Sequence, residues 1–172
     1  MNAMAAATDV LAGLGNGDRS RALTALSEAV WSVTIVDATL LRHYPAAYDA
    51  ATAALSRSQR RVTEETLAGL RFVRNRIGQK VDLAELVGPR ARDSDEAGSA
   101  DSAVTDWVWR PVPAPEVASG SSRAQAWAKT RYRAYQAQLA GRPVADSLER
   151  AVAFLQQTAE HTHTPTHAHP IL

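Results

Sequence analysis

The 172 residues suffice for one buried core, and 45% apolar with 22% charged content belongs to a globular domain, excluding a chain too polar to fold. With no cysteine, a disulfide framework, a thiolate metal site and a cysteine nucleophile are all excluded. The formal charge of +1 excludes a uniformly basic or acidic chain, so any charged surface must arise from uneven placement.

Residues 1–17 are Ala/Gly-rich and read as a flexible N-terminal segment without the basic first region of a secretory signal. No run of eighteen apolar residues occurs. A cytoplasmic protein with no membrane partner is expected. GLGNG at 13–17 has a G-x-G spacing but no Gly-Lys-Ser/Thr, so it reads as an entry to the first helix and not a phosphate loop. Asp18 or Ser20 caps that helix, which runs to about Tyr44. Leu26, Val30, Val33, Leu40, Leu41 and Tyr44 share one face, while Trp31 and Ile35 lie on a second.

Pro45 suits the first turn of a shorter helix through about Leu55. Ser58 caps a third helix whose stripe is Leu67, Leu70, Val73 and Ile77, with Phe72 pointing away and Gly78 as its stop. A short helix is expected after Asp82, followed by a loop and arm over 89–121. Residues 89–103 are polar and turn-rich. Trp107 and Trp109 then alternate with Asp106 and Val108, and Pro111, Pro113 and Pro115 enforce an extended path. The arm is expected to lay its tryptophans on the bundle, the alternative being a ledge for a ligand.

Ser122 opens a helix with Trp127, Tyr135 and Leu139 on its core-facing stripe, closed by Gly141. Pro143 begins the last helix, carrying Val144, Leu148, Val152 and Leu155. Residues 159–172 form a His-rich tail without periodicity, expected to be disordered. The fold class is therefore all-α: an antiparallel bundle of about five helices in one domain, residues 18–158.

Three segments concentrate the charge. Residues 57–80 and 123–142 each carry a net +5, whereas 93–106 carry a net −5. Two basic helices beside an acidic loop imply a phosphate-binding surface that the loop can mask, or simple neutralisation of neighbours. Asp37 falls in the apolar stripe of the first helix, where an unpartnered carboxylate would be costly. Arg74 borders the stripe of the third, so an Asp37–Arg74 pair is expected when the helices pack.

The segment LRFVRNRIG, after a long amphipathic helix in an all-helical chain, resembles the HEPN superfamily. YRAYQAQLAGRPVADSLERAVAFL is similar to the C-terminal part of uncharacterised actinobacterial helical proteins, and the excess of arginine over lysine fits a GC-rich genome. The resemblance covers about residues 20–80 and 123–156. It implies a helical bundle, a homodimer, and metal-independent RNA cleavage by an arginine, an adjacent polar residue and a histidine separated from the arginine by four to six residues. Arg74 and Asn75 match the first two. Gln79, Lys80 and Val81 stand where the histidine belongs, and none titrates near neutrality as an imidazole does. His43, His161, His163, His167 and His169 do not follow an arginine at that spacing. The resemblance therefore implies a noncatalytic relative; a weakly active ribonuclease is the lesser alternative.

His161, His163, His167 and His169 have an H-x-H-x₃-H-x-H spacing, but Pro165 and Pro170 disfavour a compact local metal site, and no metal or cofactor is expected. Trp127, Tyr132 and Tyr135 interleave with Arg131 and Arg133, a pattern that can hold phosphate and stack bases, with Tyr132 expected to be the accessible ring. Two readings follow. In the first, RNA or DNA binds to Arg71, Arg74, Asn75, Arg76, Arg131 and Arg133, in nucleic-acid metabolism or defence. In the second, a partner protein docks on Trp31, Ile35, Trp107 and Trp109.

Overall fold

Where apolar residues recur at about 3.6 positions the chain is helical. The computed structural model describes residues 19–78, 107–114 and 121–163. Five helices occur among them: α1 (Arg19–His43), α2 (Pro45–Ala54), α3 (Arg57–Gly78), α4 (Ser122–Gln138) and α5 (Val144–His163). The fold is an all-α bundle, as expected. The expected Asp18 cap, the short helix after Asp82, the polar loop 89–103, and His167 and His169 lie outside the described residues.

Local signals set the helix ends. Pro45 opens α2, where its missing N–H would have no helical partner. α3 is capped by Ser56 and not by the expected Ser58. The Ser56 hydroxyl accepts from the Gln59 N–H, and the Gln59 carboxamide oxygen accepts from the Ser56 N–H, a reciprocal capping box. α4 opens at Ser122 as expected, and Ser121 caps it by accepting from the Ala124 N–H. α4 ends at Gln138, and the chain reverses through Gly141 at φ 75°, which only glycine adopts without strain. α5 runs beyond the expected end near Thr158 to His163. Thr158 is fully buried and its hydroxyl donates to the Phe154 carbonyl, so a polar residue that suggested a tail lies within the helix.

α3 is the central element, packed against α1, α4 and α5. That position corrects the expectation for Phe72. Leu67, Leu70 and Val73 form one buried face, and Phe72, 6% exposed, forms another against α4. Its ring lies 5.7 Å from Tyr132 and 5.2 Å from Tyr135. A helix between two neighbours needs two apolar faces, which a single-stripe projection does not reveal.

The Leu23–His43 segment is the one helix among the described residues long and apolar enough to cross a membrane. In this fold it is a bundle helix, with Leu26, Val30, Val33 and Asp37 buried on one side.

The segment 107–114 is stitched to the α4–α5 turn. Trp109 N–H donates to the Arg142 carbonyl at 2.9 Å, Gly141 N–H to the Trp109 carbonyl at 2.6 Å, and Val144 N–H to the Trp107 carbonyl at 2.7 Å. Trp109 is 1% exposed, and its indole N–H donates to Ser147 Oγ at 2.8 Å. Trp109 therefore packs in the core and is no partner surface, which corrects that alternative for it. Trp107 is partly buried against the same core. Burial of a whole indole with its N–H satisfied stabilises the fold by more than an exposed ledge would.

Candidate functional site

The expected Asp37–Arg74 pair does not form; Asp37 pairs with Arg71. Arg71 Nε donates to Asp37 Oδ2 at 2.8 Å, and Arg71 Nη2 donates to the same oxygen. Tyr48 of α2 donates its hydroxyl to Asp37 Oδ1 at 2.9 Å. Three helices thus meet on one carboxylate with no solvent exposure. Burial chiefly, reinforced by the charge and hydrogen bond of Asp37, pushes the Tyr48 phenol well above its ordinary range.

Register explains the exchange. The helical projection places both arginines near the edge of the α3 stripe, but it does not fix how far α3 slides along α1. In the antiparallel packing, Arg71 is level with Asp37. Arg74, one turn further, is level with Trp31, and its Cζ lies 4.9 Å from that ring's centroid. Arg71 is therefore the structural cation, and Arg74 carries its charge on the surface.

Arg131 of α4 joins this group. Its guanidinium is held below the usual arginine range by burial first, and then by the positive charges of Arg71 and Arg74. Arg131 Cζ also lies 5.7 Å from the centroid of Trp127, and Arg123 Cζ lies 5.3 Å from the same ring. Neither Arg74 nor Arg131 makes an ion pair with a carboxylate among the described residues. A run of cations and rings results: Trp31, Arg74, Arg131, Trp127 and Arg123.

Trp127, expected on the core-facing stripe of α4, is instead 55% exposed. It lies two turns before Tyr135 but about 80° around the axis from it, and residues 121–127 are all exposed. Tyr132, expected to be the accessible ring, instead donates its hydroxyl to the Val112 carbonyl at 3.1 Å and packs on Phe72. The remaining predicted residues disperse. Asn75 is exposed beside Arg74, while Arg76 lies over Phe72 at 5.9 Å. Arg133 is exposed about 200° around α4 from Arg131, so the two do not share a face. Trp31 and Ile35, at 41% and 51% exposure, remain available as a partner surface.

Sequence reasoning missed Tyr48, whose only signal was a polar-tipped ring in a helix that had to pack near Asp37. It also missed Arg123 as a companion of Trp127, although the four-residue spacings Arg123–Trp127–Arg131 were visible. His43 is exposed at the end of α1, twelve residues from Trp31 and so about 18 Å along the axis from the Arg74 level. Gln79, Lys80 and Val81 lie outside the described residues. No family model, curated protein or solved structure matches the chain.

Proposed function

We propose that this chain is a noncatalytic, HEPN-like helical protein of nucleic-acid metabolism or defence. It binds RNA or DNA in the cytoplasm through the cation–aromatic face of α3 and α4. The observation that carries this reading is the placement of Arg123 and Arg131 over the exposed Trp127 ring, with Arg74 over Trp31. Gathering like charges that no carboxylate pairs among the described residues raises the electrostatic cost of the free state, and a bound phosphate relieves it. Trp31 positions the Arg74 guanidinium, and Trp127 supplies a ring on which a base stacks when Arg123 leaves it for a phosphate. Arg71 contributes through the fold, because Asp37 already holds its guanidinium.

The test is binding of a fluorescent single-stranded RNA or DNA oligonucleotide over a salt series. Arg74→Ala with Arg131→Ala weakens binding and lowers the slope of log K against log salt by about 1.4, the loss of two phosphate contacts. Absence of binding at low salt, or binding indifferent to both changes, overturns the proposal. The exposure of Trp31 and Ile35 favours a second reading, a protein-interaction module. Under it, oligonucleotides do not bind and partner capture is lost on changing Trp31.

A further inference from the structure

We propose that the groove between the first turns of α3 and the middle of α5 binds a small amphiphilic carboxylate. The hydrocarbon body lies on the groove floor, and the charge meets Arg150. The site stands apart from the nucleic-acid reading. Thr63 in the groove precedes Arg74 by eleven residues, about 16 Å along α3, and the groove faces α5 where that reading uses α4.

The groove holds about 420 Å³, within the range of small-molecule sites. Its floor is apolar, made by Leu55 at the α2–α3 turn, Val62 of α3 and Phe154 of α5. Phe154 is 5% exposed and meets the Tyr48 ring edge-on at 5.2 Å, so the core fixes the floor. Arg150, Ala153, Phe154 and Gln157 follow one another at helical spacing on one face of α5. The gap opens there because the methyl of Ala153 is too short to reach across to α3.

Two polar groups set the chemistry. Thr63 is 7% exposed and lines the groove. The other buried threonines, Thr34, Thr66 and Thr158, return their hydroxyls to the carbonyl four residues back. The Thr63 hydroxyl has no hydrogen-bond partner among the described residues. A buried hydroxyl left unpaired carries a desolvation penalty that a ligand's acceptor oxygen removes. Among the described residues, Arg150 is the one charged side chain lining the groove, and it makes no ion pair. Ser58 and Gln59 bring the positive end of the α3 dipole to the same rim. One permanent cation, one free hydroxyl and an apolar floor without an acid match a monoanion on a hydrocarbon body. The planar guanidinium suits a carboxylate, whose two oxygens it can hold together.

Naphthoate is the probe, and naphthalenemethanol is its uncharged counterpart. Titration of the full chain, followed by amide NMR shifts, should place naphthoate in the groove with Kd on the order of 0.1–1 mM, as expected of so small a ligand. The carboxylate should bind about tenfold more tightly than the alcohol, and Arg150→Gln should erase that preference. Thr63→Val keeps the side-chain shape and should weaken naphthoate by about threefold to tenfold. Ala153→Leu, at an exposed position, should fill the gap and abolish binding of both ligands while leaving Tm unchanged. The absence of shift changes in the groove up to about 10 mM naphthoate overturns the proposal. So does a carboxylate preference that survives Arg150→Gln, or binding undisturbed by Ala153→Leu.

Discussion

Removing Arg71 and removing Asp37 break the same ion pair, yet the geometry makes the two losses unequal. Asp37 has no exposure, whereas the Arg71 side chain is 31% exposed. In Arg71→Ala, the carboxylate keeps the Tyr48 hydroxyl but loses its cation at a position the fold buries. An unpaired charge of that kind costs about 3–5 kcal/mol. In Asp37→Ala, the orphaned guanidinium can swing into solvent. The loss is then mainly the charge-assisted hydrogen bonds, about 1.5–3 kcal/mol. For a chain of this size the larger figure lowers Tm by roughly 6–20 °C. The double variant should cost less than the sum of the singles, because neither partner is left to be penalised. Urea unfolding followed by far-UV circular dichroism near neutral pH measures all three, with Arg74→Ala as the comparison. Arg74 makes no ion pair among the described residues, so its loss should cost about 1 kcal/mol, the value of a half-buried cation–ring contact. Equal losses at 37 and 71, or an Arg74→Ala loss as large as that of Arg71→Ala, would refute the reasoning.

Gly69→Ala tests how closely α3 and α4 approach: an added Cβ would lie 2.7 Å from Leu139 Cδ1 and 3.2 Å from Tyr135 Cα. At an open helical glycine alanine gains about 1 kcal/mol, whereas here overpacking should cost about 1–3 kcal/mol, so the sign of the change in calorimetry decides. Tyr48 provides a pH test. Its folded phenol is raised by burial and then by Asp37, so its contribution to stability is fully present below the ordinary tyrosine range near 10 and is lost as pH rises through the elevated folded value. Spectrophotometric titration should show a late-ionising phenol that is missing from Tyr48→Phe, and stability of that variant should fall less steeply in alkali.

Five helices and most of their ends were legible because periodicity, Pro45 and the Ser caps act locally. Asp37 was legible as a buried acid needing a cation, since its place in the α1 stripe depends only on its own helix. Which cation it takes depends on the slide of α3 along α1, fixed by packing between residues far apart in sequence, so Arg74 was expected where Arg71 stands. Phe72 and Trp127 exchanged environments for a related reason. Burial follows from which neighbours a helix face meets, and α4 covers Phe72 while the first turns of α4 leave Trp127 exposed. Ser56 and Gln59 formed a readable S-x-x-Q box, and the nearer Ser58 obscured it.

The carboxylate of Asp37 has a reach beyond the interior it occupies. By holding α3 at one height against α1, it also decides that the next turn delivers Arg74 to the Trp31 ring. The outer chemistry is thus aligned by an inner fastening, and the two cannot drift independently. A chain that exchanged its surface cations could keep its fold. One that shifted the fastening by a single residue would rotate the cation away from the indole and disassemble the surface without altering any residue on it.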